Sequence, residues 1–211
     1  MTKPVRNPLF ARMYTRMSEG EPEEQVQHRR EVLAGLSGRV LELGAGNGLN
    51  FTHYPSSVTA VVAVEPEPYL REKALAAAAE APVPVEVVDA VADRLPFEDA
   101  SFDAAVASLV LCTVPDQERA LAELRRLIRP GGELRFYEHV IAHTQPLRRV
   151  LVFADRSGLW PLLGGGCHPA RDTLPAIERA GFVVERSRRF GFSPSRLLPS
   201  IPHVLGIARR P

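Results

Sequence analysis

The stretch Val40-Leu41-Glu42-Leu43-Gly44-Ala45-Gly46-Asn47-Gly48 decides the fold. An apolar run of strand length leads straight into a turn with glycine at alternate positions, a pattern expected where a strand ends at a ligand. Glycine permits positive φ and lets a ligand approach the backbone with no Cβ in the way. The glycines fall at 44, 46 and 48, whereas a dinucleotide fingerprint wants its third glycine where Leu49 stands, so NAD is disfavoured. No Gly-Lys-Ser/Thr follows, which disfavours a phosphate-binding loop and leaves a nucleoside-like ligand as the expectation. Glu65 ends the next apolar run, Val61-Val62-Ala63-Val64, at the carboxyl edge of the expected sheet, where open α/β sheets bind ligands. A carboxylate there accepts both hydroxyls of a ribose; the alternative is a helix-start charge ahead of Pro66.

Outward from this turn, short apolar runs alternate with helical stretches, which predicts βαβ units and a doubly wound, mostly parallel α/β sheet. Strands are expected at 39–43, 58–64, 84–88, 103–109, 133–138, 182–187 and 203–208, seven in all. Helices are expected near 49–54, 67–80, 116–128 and 172–180. The third is the clearest, because Ala120, Leu121, Leu124, Leu127 and Ile128 share one face before Pro130-Gly131-Gly132 stops it. Residues 1–36 read as an N-terminal cap of one or two helices interrupted near Gly20-Glu21-Pro22. The organisation expected is one domain: this cap, a cofactor-binding core over 39–140, an insertion over 141–170, and a closing helix and strands over 171–211. The insertion exceeds a normal αβ connection and carries Phe153, Trp160 and Gly164-Gly165-Gly166, which marks it as a lid or binding loop for the substrate.

Composition narrows the function. A chain of 211 residues with 45% apolar and 24% charged side chains is an ordinary globular protein of one-domain size. A net charge of +1 gives no global field for nucleic acid or an anionic membrane. Cys112 and Cys167 form no disulfide framework and lack a paired metal-ligand spacing, so no metal is expected. The opening Met1-Thr2-Lys3-Pro4 lacks the apolar core of a signal peptide and no apolar run approaches spanning length, which makes a cytoplasmic location with no membrane span the expectation.

Glu42 to Gly48, Glu65, Leu95-Pro96-Phe97-Glu98-Asp99-Ala100-Ser101-Phe102-Asp103 and Leu127-Ile128-Arg129-Pro130-Gly131-Gly132 together resemble the successive motifs of class I S-adenosylmethionine-dependent methyltransferases, in order and spacing. The resemblance implies a Rossmann-like seven-stranded fold with S-adenosylmethionine as cofactor and S-adenosylhomocysteine as product. It places Glu42, Gly44, Ala45, Gly46 and Asn50 around the methionine and ribose portions, Glu65 and Pro66 at the ribose, and Val91, Ala92 and Asp93 at the adenine. Ser108 and Leu109 pass beside the methionine part. Val91 stands where the family carries an aspartate for the adenine amine, so either Asp89 substitutes or the Ala92 backbone and Asp93 serve.

Gly48-Leu49-Asn50-Phe51-Thr52-His53-Tyr54-Pro55, Leu109-Val110-Leu111-Cys112-Thr113-Val114, Glu138-His139-Val140, Gly166-Cys167 and Pro202-His203-Val204-Leu205-Gly206 further resemble the alkyl thiol methyltransferases and their bacterial relatives. That subgroup implies a small lipophilic acceptor, a thiol first, with O- or C-methylation of a quinone or polyketide as the alternative and a non-catalytic cofactor-binding module as the alternative of another class. Methyl transfer from a sulfonium is an in-line displacement, so alignment and exclusion of water are the enzyme's main contributions. His139 is the candidate base or orienting group, with a structural histidine at a strand end as the alternative. Tyr14 would close over the cofactor, and Trp160, Cys167 and His168 would line the acceptor pocket; Cys112 reads as an inert buried thiol.

Overall fold

The computed structural model describes residues 7–193 and 200–211; the opening Met1 to Pro4 lies outside the described residues. Strands β1 (Gly38–Leu43), β2 (Val58–Val64), β3 (Val85–Val88), β4 (Phe102–Ser108), β5 (Ile128–His139), β6 (Val183–Phe192) and β7 (Ile201–Arg209) make one sheet ordered β3-β2-β1-β4-β5-β7-β6. Pairings from β3 across to β5 are parallel, while β7 runs antiparallel to both β5 and β6. The helices are α1 (Pro8–Ser18), α2 (Glu23–Leu33), α3 (Pro68–Ala79), α4 (Gln117–Leu127), α5 (Gln145–Arg156), α6 (Leu159–Leu163) and α7 (Thr173–Arg179). This is the doubly wound, seven-stranded sheet that the alternation predicts.

The central strands form because both of their faces are covered. β1 and β2 end in four consecutive buried residues each, the near-continuous apolar run expected of a strand packed on two sides. Leu41, Leu43, Ala105, Ala107, Leu134 and Phe136 point to one face, where α4 brings Leu121 and Leu124 and α7 brings Ile177. Val40, Val61, Ala63, Ala104, Val106 and Tyr137 point to the other, where α2 brings Val32 and Leu33 and α3 brings Ala74. Asp116 starts α4 by accepting a hydrogen bond from the Arg119 backbone, and Glu67 does the same for α3 at Leu70. Chain order reverses between β1 and β4, which opens a crevice at their carboxyl ends.

Several expected elements are redrawn. The helix expected over 49–54 is a single 3-10 turn at Phe51–His53, because Gly48 enters at φ +85° and Pro55 closes the segment. β5 begins at Ile128 and runs through Pro130-Gly131-Gly132, which sequence marks as a turn. Its register against β4 slips between Phe102 and Ala104, so these residues are taken up as an irregularity inside the strand. Gly132 is required there: a Cβ would stand 2.5 Å from the Asp103 carbonyl oxygen. β6 reaches Phe192 rather than 187, its length hidden by exposed Arg186 and Arg188 on an edge strand.

The segment over 141–170 folds into α5 and α6. Its two ends meet, since the Ile141 N–H donates to the Arg171 carbonyl at 2.9 Å. Val150, Phe153, Leu159, Leu162 and Leu163 on these helices remain exposed, as do Leu9, Met13 and Met17 on α1. Among the described residues no helix is long and apolar enough to cross a membrane.

Candidate active site

At the crevice, Gly44, Gly46 and Gly48 all adopt positive φ, at 65°, 58° and 85°. The turn is therefore built as the glycine spacing predicts, but the space that the missing Cβ atoms leave is largely used by the protein. A Cβ on Gly44 would sit 2.3 Å from the Val110 Cγ2, and one on Gly48 would meet Ala77 and Phe51 below 3.0 Å. Only Gly46 has ordinary clearance, facing the Tyr14 ring at 3.5 Å. Tyr14 thus lies over the glycine turn from α1. Gly44→Ala combines a left-handed backbone with overlap on Val110, and about 2 kcal/mol of lost stability is expected in denaturant unfolding.

Glu65 joins the turn to the second strand. Its Oε2 accepts from the Gly46 N–H at 2.8 Å and its Oε1 from the Glu67 N–H at 2.9 Å. Burial pushes the carboxyl up to about 7, against the pull of those two donors. Each oxygen keeps a second lone pair, so the group has capacity for two further hydroxyl donors at the crevice. Pro66 follows with its carbonyl, like that of Glu65, capped by Arg71 at 3.1 and 3.0 Å.

Glu42 is only 2% exposed and lies beneath the turn. It accepts from the Tyr54 hydroxyl at 2.6 Å and from the Asn50 amide at 2.9 Å, and burial pushes it up to about 7. Asn50 in turn accepts from Arg29 at 3.0 Å, and the Arg29 guanidinium also pairs with Glu21 at 2.8 Å and reaches the Ser108 hydroxyl at 3.5 Å. Arg29 is 4% exposed and binds α2 to both the glycine turn and the end of β4. It escaped the sequence reading because a basic residue inside a charged helix carries no pattern that marks it as buried. Ala45 supports the turn from below, its N–H donating to the Val64 carbonyl at 3.0 Å.

On the β3 side, Val91 and Arg94 bridge across a tight turn that carries Ala92 and Asp93. Ala92 packs on the α4-side core, and Asp93 is half-buried. Asp89, the substitute considered for the adenine amine, pairs with Arg71 at 2.9 Å.

Beyond β4 the chain makes a strained turn. Leu109 adopts φ +57°, a conformation costly for a branched side chain, and donates its N–H to the Tyr137 carbonyl at 2.6 Å. The next three amides, of Val110, Leu111 and Cys112, all donate to the Glu138 carboxylate at 3.0, 2.9 and 3.1 Å. Glu138 is fully buried at the end of β5; burial pushes its carboxyl well up, opposed by these backbone bonds. Arg171 braces the same turn from outside, donating to the Leu111 and Val114 carbonyls at 2.8 and 2.7 Å.

The turn delivers Cys112 to His139. The His139 Nδ1 lies 3.6 Å from the Cys112 sulfur and 3.4 Å from the Cys167 sulfur, and the three ligating atoms fall within 4.8 Å of one another. Contact with the second thiol and burial push Cys112 up to about 12. Burial pulls His139 down, but the Cys112 sulfur and Glu138 together outweigh this and raise it. The His203 ring packs 4.4 Å from that of His139. The expectation of no metal rests on linear spacing alone; the fold brings these three side chains together from three separate segments.

Cys167 therefore lies against His139, whereas His168 turns away. His168 pairs through Nδ1 with Asp155 of α5 at 2.7 Å, while its backbone N–H donates to the Cys112 carbonyl at 2.7 Å. Trp160 sits on α6 folded against Gly164, whose N–H donates to its carbonyl at 2.7 Å. Arg171 carries no sequence signal, and Glu138 stands out only within the Glu138-His139-Val140 stretch, because their partners are backbone carbonyls and amides, which leave no trace in residue type.

Residues 41–136 match a family model described as a methyltransferase domain. Over 205 residues the chain is 37% identical to thiol S-methyltransferase TMT1B of Mus musculus, spanning 95% of this chain and 82% of that protein. It is 35% identical over 208 residues to thiol S-methyltransferase TMT1A of Homo sapiens, spanning 94% and 82% respectively. A solved S-adenosylmethionine dependent methyltransferase from Mesorhizobium loti superposes with a TM-score of 0.62 at 26% identity, over 86% of this chain and 95% of that one.

Proposed function

This chain belongs to the class I S-adenosylmethionine-dependent methyltransferases, and on that premise we propose that it transfers a methyl group to the sulfur of a small lipophilic thiol. The observation that carries the thiol is the likeness to two thiol S-methyltransferases over more than nine-tenths of the chain. S-adenosylmethionine supplies an activated methyl on a sulfonium. Glu65 accepts the ribose hydroxyls, the backbone of Gly44 to Gly46 holds the methionine portion, and the Ala92–Asp93 turn receives the adenine. Tyr14 and α1 cover the turn and exclude water.

The acceptor enters from the side of α5 and α6, whose exposed Phe153, Leu159 and Leu162 offer an apolar approach. His139 prepares it, a reading supported by its position at the end of β5 against the loop carrying Cys167. A free thiol titrates near ~8.5, so a modest local bias is enough to raise its thiolate fraction at neutral pH. The acceptor thiol gives up its proton to solvent, and the thiolate then forms a carbon–sulfur bond to the methyl group as the methyl–sulfonium bond breaks and S-adenosylhomocysteine leaves.

The test is turnover of purified protein with S-adenosylmethionine on matched panels of alkyl thiols and phenols. Methylated thiols with inert phenols are expected; methylated phenols with inert thiols would overturn the assignment. His139→Ala is expected to lower kcat on the thiol about 100-fold, with calorimetric cofactor affinity unchanged.

A further inference from the structure

The Cys112, His139 and Cys167 cluster is chemically over-supplied. The sulfur atoms lie 3.6 and 3.4 Å from a single Nδ1, which has one lone pair when neutral and unprotonated at that nitrogen. One S–H satisfies it, and the second sulfur then gains nothing from its own approach to the ring. A tetrahedral zinc ion, with sulfur at about 2.3 Å and nitrogen at about 2.0–2.1 Å, holds such ligands about 3.5–3.6 Å apart. The two observed separations lie within about 0.2 Å of that edge.

We propose that Cys112, His139 and Cys167 bind one zinc ion through Sγ, Nδ1 and Sγ. Two thiolates neutralise a divalent ion, which removes the cost of placing charge among buried groups. Both cysteines are buried, and the backbone around them is fixed by other bonds: Glu138 holds the Cys112 amide, and Gly164 holds that of Cys167. Among the described residues no fourth histidine, cysteine, aspartate or glutamate completes the group. A three-ligand set of two cysteines and one histidine with an open position is the arrangement of a catalytic rather than a structural zinc. The open position takes an exogenous thiolate, the acceptor itself, a step that rests on the thiol assignment above: the acceptor S–H loses its proton to solvent as the zinc–sulfur bond forms. That bond breaks again when the sulfur takes the methyl group.

The experiment uses the full chain stripped by a chelator, then titrated with zinc against a chromophoric competitor and, separately, with cobalt. Cys112 and Cys167 are the only cysteines in the sequence, so an intense thiolate-to-cobalt absorption has no other source. One equivalent of each metal is expected, and Cys167→Ser and His139→Gln should each weaken zinc binding by at least about 100-fold, the upper end of what even outer-shell changes cost. Absence of the cobalt–thiolate band, or equal zinc affinity in the two variants, would overturn the site. The wild-type band decides the matter even if a variant fails to fold. Adding an alkyl thiol to the cobalt form is expected to shift the band, whereas a phenol should not. A band that ignores thiols would overturn the open-position role alone, and thiol turnover by the fully stripped enzyme would do the same while leaving the methyltransferase assignment intact.

Discussion

Glu138→Ala is expected to lower the stability of the chain by about 4 kcal/mol, seen as a fall of about 10 °C in Tm. Its carboxylate accepts from three consecutive backbone amides, of Val110, Leu111 and Cys112, and it is wholly buried. Removing the acceptor leaves those donors without a partner in a dry site, and each orphaned group costs about 1–3 kcal/mol. The turn also carries the strained Leu109, whose unfavourable φ is held by the bonds on either side of it. Glu138→Gln separates the effects: its oxygen can still receive Val110 and Leu111, while its amide faces the Cys112 N–H as a second donor. A loss of about 2 kcal/mol is expected for it. If alanine costs under about 1 kcal/mol, the three bonds do not support the turn in the way described.

Glu65→Gln should weaken S-adenosylmethionine binding about 100-fold by calorimetry, with little change in unfolding. Two hydroxyls donating to one carboxylate are together worth about 3 kcal/mol, and a glutamine offers a single acceptor oxygen. One of the two bonds from Gly46 and Glu67 survives in the variant, so the turn should still form. A pH series supplies the sharper check. Because burial holds the Glu65 carboxyl at about 7, the group is protonated below that pH and must shed its proton before both hydroxyls can donate to it. Affinity should accordingly be level above pH 8 and about tenfold weaker at pH 6, since one pKa unit corresponds to a factor of ten. The dependence should vanish in Glu65→Gln; a wild-type affinity that is flat from pH 6 to 8 would show that the ribose does not rely on the ionised carboxylate.

What could be read from the sequence follows from where the information sits. β1, β2 and β4 were legible almost to the residue because strands covered on both faces need unbroken apolar runs. The start of β5 was not, because Pro130-Gly131-Gly132 is the usual chemistry of a turn and only the register slip against β4 makes it part of a strand. The glycine turn and Glu65 were legible because one lies within a single segment and the other ends the following strand. Arg29 is different: its burial depends on α2 packing across to Asn50 and Ser108, which no local pattern records. Cys112 and Cys167 were read separately as an inert thiol and a pocket residue, since neither stands at ligand spacing from the other and His139 comes from a third segment.

The bond from Ile141 to Arg171 closes the long excursion at its base, so the chain leaves and returns at one neck between β5 and α7. Nothing in the glycine turn, Glu65 or the Ala92–Asp93 turn is supplied from within that excursion. A change of length or sequence in α5 and α6 is therefore absorbed at this one neck, and the hydrogen bonds that set the glycine turn and Glu65 do not pass through it.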